Sequence, residues 1–244
     1  MEFQDVTFRY AGAEKPVLEN ITFKAKPGET TAIIGSTGAG KTTILQLIPR
    51  FFDIEKGSVL VNGTDVRKMA QKELRAKIGY VPQKASIFSG TIKDNIRFGK
   101  EDATDEEILE ALETAQAAEF VEGKENGIES DIEQAGANLS GGQKQRLSIA
   151  RALVRKPEIY LFDDSFSALD YKTDQKLRKA LKKTTADAAV IIVAQRVSTI
   201  TDADQIIVLN EGKIAGIGTH QQLLAENDIY QEIVASQQAE EESA

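Results

Sequence analysis

The chain has 244 residues, enough for one large domain or for a domain with a subdomain. Its formal net charge is −8 without a basic cluster, so a general nucleic-acid-binding surface is not expected. The absence of cysteine excludes disulfides, thiolate zinc sites and cysteine nucleophiles, and fits a reducing cytoplasm. No apolar run approaches the ~18 residues of a membrane-spanning helix and no signal segment is seen at the N-terminus, so we expect the chain on its own to be soluble.

The first quarter of the chain is rich in strand patterns. Apolar and polar residues alternate over 6–10, which predicts a half-buried strand that ends at Tyr10. A second strand is predicted over 17–23, and the pair Asn62-Gly63 predicts a hairpin turn. We expect these strands to form an antiparallel layer beside the core.

Residues 35–42 fit the phosphate-loop pattern G-x-x-x-x-G-K-[ST]. An apolar run at 31–34 leads into the loop and a helical pattern at 43–48 follows it. Glycines let backbone N–H groups approach a phosphate, Lys41 adds a positive charge, and Thr42 offers a hydroxyl to Mg²⁺. The alternative is a glycine-rich turn that merely joins a strand to a helix. The predicted nucleotide-binding residues are Gly35, Ser36, Thr37, Gly38, Ala39, Gly40, Lys41, Thr42 and Thr43.

Polar residues directly follow three further apolar strand patterns: Gln83, the pair Asp163 and Asp164, and Gln195. Because α/β proteins place ligand groups at the carboxyl ends of their strands, these side chains are predicted to converge on one nucleotide. Asp163 and the Thr42 hydroxyl would supply the hard oxygen ligands that Mg²⁺ requires. For the two glutamines, simple capping of a strand is the alternative.

The middle of the chain, about residues 84–156, is predicted to be a helical insertion. Thr104 is suited to N-cap a helix because acidic residues and a helical apolar pattern follow it. A glycine-rich stretch at 135–143 leads into another helix, which is predicted to end at Pro157.

The last third of the chain returns to alternating helix and strand patterns. An amphipathic helix is predicted over 173–183 and a closing hairpin over 206–217. We expect the acidic end of the chain after Val234 to be frayed or disordered. The single histidine, His220, is interpreted as structural.

The motif Leu139-Ser140-Gly141-Gly142-Gln143 lies between the phosphate loop and the strand that ends at Asp163. With it, the sequence resembles the nucleotide-binding domain of ABC transporters over about residues 2–235, in the family's order. The resemblance implies an α/β fold: a P-loop NTPase core with a mainly parallel sheet, an antiparallel β subdomain and a helical subdomain. The implied parts of this single ABC ATPase domain, residues 1–244, are a core with its β layer at about 1–83 and 157–235, a helical subdomain at about 84–156 and an acidic tail at 236–244.

The resemblance also implies roles for individual residues. Tyr10 is similar to the aromatic residue that stacks on adenine, with ordinary strand packing as the alternative. Gln83 is similar to the glutamine that senses Mg²⁺ and the attacking water, and Asp170 lies in a stretch that resembles the loop crossing the dimer interface. The signature residues implied to bind the γ-phosphate held by the opposite subunit are Ser140, Gly141, Gly142 and Gln143.

Two positions depart from the catalytic pattern of the family. Asp164 stands where the family normally has a glutamate that acts as base or orients water, and Gln195 stands where it has a histidine. Asp164 is one methylene shorter than glutamate, and small misplacements cost on the order of 10²-fold in rate. Gln195 donates a hydrogen bond but cannot carry histidine's charge. We therefore expect a site that turns ATP over slowly, with neutral drift and retained activity as the alternative.

Residues 86–96 and 133–138 resemble stretches of exporter-type domains, the second being similar to the segment that touches coupling helices. We therefore expect the ATPase domain of one half of a heterodimeric, multidrug-type ABC exporter, at the cytoplasmic face of a membrane. Its expected ligands are ATP and Mg²⁺. Its expected partners are a second, different ABC ATPase domain and the transmembrane domains, without nucleic acid.

Three other hypotheses stay open at this point. The first is a homodimeric exporter half in which Asp164 and Gln195 work adequately. The second is a soluble ABC protein that serves DNA repair or translation, although neither a tandem domain nor a nucleic-acid insertion is visible. The third is a nucleotide-gated binding module without useful hydrolysis.

Overall fold

The computed structural model describes residues 1–242, with side chains described through Ala239. Its strands are β1 (Glu2–Phe8), β2 (Leu18–Lys24), β3 (Thr30–Gly35), β4 (Lys56–Val61), β5 (Thr64–Asp65), β6 (Ile78–Val81), β7 (Gly90–Thr91), β8 (Asp131–Ile132), β9 (Ile159–Asp163), β10 (Ala189–Val193), β11 (Gln205–Asn210) and β12 (Lys213–Gly218). Its α-helices are α1 (Lys41–Leu47), α2 (Gln71–Ala76), α3 (Ile92–Arg97), α4 (Asp105–Thr114), α5 (Ala118–Glu122), α6 (Gly141–Leu153), α7 (Tyr171–Thr184), α8 (His220–Glu226) and α9 (Asp228–Glu242).

The central sheet has six strands in the order β12-β11-β3-β10-β9-β6. Its strands from β11 to β6 run parallel, and β12 pairs antiparallel with β11. Strands β9 and β10 are buried along their whole length, as expected for parallel strands covered on both faces. The phosphate-loop strand β3 lies inside this sheet, between β10 and β11, so the loop that follows it starts from a well-supported position.

A second sheet of four strands, in the order β2-β1-β4-β5, forms the predicted antiparallel layer. The hairpin between β4 and β5 turns at the predicted Asn62-Gly63, where both residues have positive φ. Strand β1 ends at Phe8, so the expectation that Tyr10 ends this strand is wrong. The chain has therefore left the sheet before it reaches Tyr10.

The central sheet separates two apolar clusters because successive side chains of a strand face opposite sides. Ala32, Phe162 and Ile192 belong to the cluster that also contains the helices of the middle of the chain. Ile33 and Ile191 belong to the other cluster, with residues of α1 and of the antiparallel sheet. The sheet is therefore covered by apolar side chains on both faces.

Three of the four α-helices of residues 84–156 begin at a side-chain cap, and the cap at Thr104 was predicted. Thr104 caps α4 and Ser140 caps α6, each with a full capping box. Thr91 does the same for α3. The pairing of β7 with β8 was not predicted, since two-residue strands leave no alternating pattern to detect.

The expectation of a frayed end after Val234 is wrong for the described part of the chain. Helix α9 continues to Glu242. Tyr230 is fully buried and Val234 nearly so, and this helical spacing anchors α9 to the core. The remaining residues of the acidic tail, 243–244, lie outside the described part. No helix within residues 1–242 combines the length and the apolar character needed to cross a membrane.

Candidate functional site

The carboxyl ends of β3, β6, β9 and β10 meet around a cavity of about 370 Å³. Its lining contains every polar residue that was predicted at a strand end, together with the second half of the phosphate loop. The lining residues are Tyr10, Val17, Thr37, Gly38, Gly40, Lys41, Thr42, Thr43, Gln83, Asp163, Asp164, Val193 and Gln195. The four side chains predicted at strand ends therefore line one cavity.

The phosphate loop takes a backbone path that side chains would obstruct. Gly35 has φ 156°, and a Cβ there would lie 2.0 Å from the carbonyl oxygen of Leu209 on the neighbouring strand. Gly40 has φ 99° and precedes α1 without any side-chain cap. The first N–H groups of α1 are therefore free of a side-chain acceptor at the loop, which is the arrangement that suits an anion.

Lys41 extends along the loop and brings a cation into the cavity. Its Nζ donates to the carbonyl oxygens of Gly35 at 2.7 Å and Ser36 at 2.8 Å. Burial lowers the pKa of Lys41, and the carboxylates of Asp164 and Asp163 act in the opposite direction. The ammonium is thus partly desolvated close to two carboxylates, where a bound phosphate would experience its charge strongly.

Asp163 is tied to the phosphate-loop helix. It is 3 % exposed, and Thr42 Oγ1 donates to its Oδ1 at 2.8 Å, while the Tyr80 hydroxyl donates to its Oδ2 at 3.2 Å. Burial raises the pKa of Asp163, and the two hydrogen bonds oppose that shift. A hydroxyl and a desolvated carboxylate within bonding distance of each other fit a Mg²⁺ site, because hard oxygen atoms are its preferred ligands.

Asp164 accepts hydrogen bonds from both glutamines that were predicted to face the nucleotide. Gln83 Nε2 donates to Asp164 Oδ2 at 3.1 Å and Gln195 Nε2 donates to the same oxygen at 2.7 Å. Asp164 itself is 7 % exposed and has φ 46°, a left-handed conformation that aspartate tolerates better than most residues. Its second oxygen, Oδ1, accepts neither amide.

Tyr10 lies at the rim of the cavity and also packs against neighbouring side chains. Its hydroxyl is 3.0 Å from Thr43 Oγ1, and its ring meets those of Phe8 and Phe52 edge-on at 4.8 Å and 5.2 Å. Packing and cavity lining thus occur together at this residue.

The predicted signature residues do not line this cavity. Ser140 Oγ accepts from the backbone N–H of Gln143, and the Gln143 side chain accepts from the N–H of Ser140, so both side chains serve the start of α6. A Cβ on Gly141 would meet no atom within 4 Å. Asp170 also lies outside the cavity, where it caps α7 by accepting from the N–H of Thr173. These groups therefore lie outside the cavity of their own chain.

Sequence analysis missed Tyr80, whose hydroxyl contacts Asp163. The signal was present, because Tyr80 precedes the end of a strand whose neighbours carry polar residues at theirs. His220, interpreted as structural, is 2.8 Å from the hydroxyl of the buried Tyr230 through its Nδ1.

Residues 18–167 match the sequence profile of the family described as ABC transporter. The chain belongs to the ABC transporter family. An uncharacterized ABC transporter ATP-binding protein of Mycobacterium tuberculosis is 50 % identical over 234 residues, which are 95 % of this chain and 40 % of that protein. A putative multidrug export ATP-binding/permease protein of Bacillus subtilis is 41 % identical over 97 % of this chain and 41 % of its own length. The chain thus spans about two fifths of the length of these ABC transporter relatives.

A solved structure of a bacterial Atm1-family ABC exporter with ATP bound has a TM-score of 0.93 to this chain at 38 % identity. The likeness covers 97 % of this chain and 41 % of that one. The predicted fold class is therefore confirmed: an ABC ATPase fold with a P-loop core, a mainly parallel sheet, an antiparallel sheet and additional helices.

Proposed function

We propose that this chain is the ATP-hydrolysing domain of an ABC exporter and works at the cytoplasmic face of a membrane, coupled to transmembrane domains. The observation that carries the proposal is the meeting of Lys41, the Thr42 and Asp163 pair, and Asp164 in one cavity. The naming of the Bacillus subtilis relative as a putative multidrug export protein supports export over import.

Each group in the cavity has a proposed task. Lys41 and the backbone N–H groups around Gly40 hold the phosphates, and Tyr10 offers its ring to adenine. Thr42 and Asp163 hold Mg²⁺, with Gln83 beside them; a bound Mg²⁺ would neutralise phosphate charge that develops during transfer. Since phosphoryl transfer depends mainly on positioning and electrostatics, these residues need only hold their groups in place.

Asp164 is proposed to orient the attacking water. The amides of Gln83 and Gln195 occupy its Oδ2, so the carboxylate is fixed in rotation and Oδ1 is available to the water. An oxygen with two acceptor sites is saturated by two donors. The short reach of Asp164 places Oδ1 farther from the phosphate than a glutamate would, and we propose that hydrolysis at this cavity is slow for that reason.

A second ABC ATPase domain is proposed to complete each site. The signature at Ser140 to Gln143 lies outside the cavity of its own chain, and its accessible donors are backbone N–H groups at the start of α6. A head-to-tail pair would place this signature on the nucleotide held by the partner. The site of this chain would then be the degenerate one, and the partner subunit of a heterodimer would supply the competent one.

Steady-state Mg-ATP hydrolysis across protein concentrations tests the proposal. The chain should bind ATP and turn it over slowly, whereas the Asp164→Glu plus Gln195→His double variant should be faster, with a rate per chain that rises with concentration. Ordinary turnover by the unmodified chain would contradict the slow site and favour a homodimeric exporter half. Failure to bind ATP would contradict the function as a whole.

A further inference from the structure

The last helix of the chain reaches the segment that carries Gln195. Gln237, on α9, donates from Nε2 to the carbonyl oxygen of Gln195 at 2.6 Å. Its Oε1 accepts from the backbone N–H of Val197 at 2.8 Å. One side-chain amide therefore satisfies an acceptor and a donor that lie two residues apart on the same segment.

The position of Gln237 is set by the buried face of α9. Tyr230 is fully buried, Val234 is buried, and Ile233 packs against the same cluster. Residues three and four apart share a helix face, so Gln237 follows Ile233 and Val234 on the side that meets the core. Asn227 begins α9 by accepting from the N–H of Tyr230 at 2.8 Å.

The segment that Gln237 holds has left the sheet. Strand β10 ends at Val193, and the N–H of Ala194 makes the last contact with β3, to Ile33 at 3.1 Å. A short 3-10 turn follows at Val197–Thr199. Between these two points, Gln195 must present its side chain to Asp164 from a stretch that no strand supports.

We propose that Gln237 is a positioning residue for the nucleotide site. It fixes the backbone of residues 195–197, and so it sets the direction from which Gln195 Nε2 reaches Asp164 Oδ2 at 2.7 Å. Gln237 itself does not line the cavity and acts through Gln195. The C-terminal helix thereby controls the orientation of the carboxylate that faces the water. The expected effect on hydrolysis rests on the proposed function, whereas the hydrogen-bonded link between Gln237 and residues 195–197 does not.

Two variants of Gln237 and one control variant distinguish the roles of its two hydrogen bonds. Gln237→Ala removes both. Gln237→Glu keeps an acceptor for the N–H of Val197 but offers no donor to the carbonyl oxygen of Gln195. Gln238→Ala, at an exposed neighbouring position on the same helix, is the matched control.

Amide hydrogen exchange, followed by NMR, measures the link without any turnover. The Val197 amide should exchange about tenfold faster in Gln237→Ala, while Gln237→Glu restores its protection and Gln238→Ala leaves it unchanged. Amides of β10 should be unaffected in all three. An unchanged Val197 exchange rate in Gln237→Ala would overturn the inference.

Hydrolysis kinetics then test the catalytic consequence. Gln237→Ala should lower kcat by about tenfold with little change in KM, because the displaced group orients water and does not bind ATP. Gln195→Ala should have a similar effect, and the double variant should lose nothing further. If the kcat reductions of the two single variants multiplied in the double variant, Gln237 would not act through Gln195. If the parent chain bound no ATP, the proposed function would fail while the exchange result would still decide the link.

Discussion

Gln195 Nε2 and Asp164 Oδ2 are joined by a 2.7 Å hydrogen bond, and Gln83 Nε2, beyond the end of β6, donates to the same oxygen at 3.1 Å. Three strand ends are thus tied together through one carboxylate oxygen. The arrangement resembles that of a catalytic base that further groups orient, because both amides donate to Oδ2 and neither donates to Oδ1. The carboxylate of Asp164 is therefore the first group to test by substitution.

Asp164→Asn should lower Mg-ATP turnover by about 10²-fold or more, since a neutral amide cannot accept a proton from water. The amide has the same shape as the carboxylate, so its oxygen can still accept from both glutamines and the fold should stay intact. Asp187→Asn, on the loop before β10, is the control. Unchanged kcat in Asp164→Asn would remove Asp164 from the mechanism.

Lys41→Met should weaken ATP binding about 10- to 100-fold, because a hydrogen bond from a charged group to phosphate contributes about 1.5–3 kcal/mol. Lys24→Met, which removes an exposed lysine from β2, should leave affinity unchanged. Equilibrium binding of ATP measures both variants. Equal affinities in the two variants would contradict a phosphate site at Lys41.

Asp163→Asn should raise the melting temperature at neutral pH while it lowers Mg²⁺-dependent turnover, because a carboxylate ligand is lost. Burial raises the pKa of Asp163, so the folded chain binds this proton more tightly than the unfolded chain does. Stability is therefore lost as the pH rises from the ordinary aspartate pKa, about 3.9, through the raised folded pKa, and above that window the charge carries its full cost.

The asparagine variant should not show this loss, so its advantage in melting temperature should shrink as the pH is lowered through the same window. Its amide oxygen still accepts from Thr42, and the Tyr80 hydroxyl can rotate to accept from the amide nitrogen. Thermal unfolding without Mg²⁺, at neutral and acidic pH, measures the effect. A variant that was less stable than the parent at neutral pH would contradict a desolvated carboxylate at this position.

The signature serine can be tested with its helix-capping role held constant. Ser140→Ala should lose about 1 kcal/mol of stability, as should Thr104→Ala, which removes the equivalent cap of α4. Ser140→Asp keeps a cap but adds a negative charge that repels phosphate. Hydrolysis by the assembled dimer should fall in both Ser140 variants and not in Thr104→Ala. A fully active Ser140→Asp dimer would contradict a cross-subunit phosphate contact.

Arg151 is expected to be a major stabilising residue of the helical region. It donates to the backbone oxygens of Asn95 and Ser86 at 2.8 Å each, and its guanidinium lies over the ring of Phe88. Burial lowers its pKa to about 10, which leaves it charged at neutral pH. Arg151→Lys should therefore lose about 2–4 kcal/mol, because a lysine cannot reproduce the forked contacts.

Thermal unfolding checks this prediction. About 2–4 °C of melting temperature is expected per kcal/mol for a domain of this size. Arg155→Lys is the control, since Arg155 makes one exposed hydrogen bond, to the carbonyl oxygen of Arg75. Equal shifts in the two variants would show that the buried contacts of Arg151 contribute little.

Much of the site was predictable because parallel strands end at a common edge. Gln83, Asp163 and Gln195 were found from strand ends alone, because an apolar strand pattern precedes each of them. The capping of α4 by Thr104 was equally local. Signals that lie within about ten residues of each other could thus be read from the sequence.

Contacts between distant segments could not be predicted in this way. Nothing near Gln237 indicates that its partners are Gln195 and Val197, because the packing of α9 decides that contact. The strand order of the sheet is likewise not encoded in any single apolar run. The frayed end was wrongly expected because the acidic composition of the tail indicated disorder, whereas the burial of Tyr230, which anchors α9, leaves no signal in the sequence.

The place of β3 in the sheet has a consequence for how the protein is made. Both of its neighbours, β10 and β11, are encoded near the other end of the chain. A ribosome must finish Asn210 before the strand that leads into Gly35 is paired on both sides, and contacts this distant in sequence close slowly. Nascent chains that end before Ala189 expose two open edges of an apolar strand, which attract chaperones or other chains. Strand β3 is therefore translated before both of its partner strands, and a fragment cut before Gln205 should not bind nucleotide.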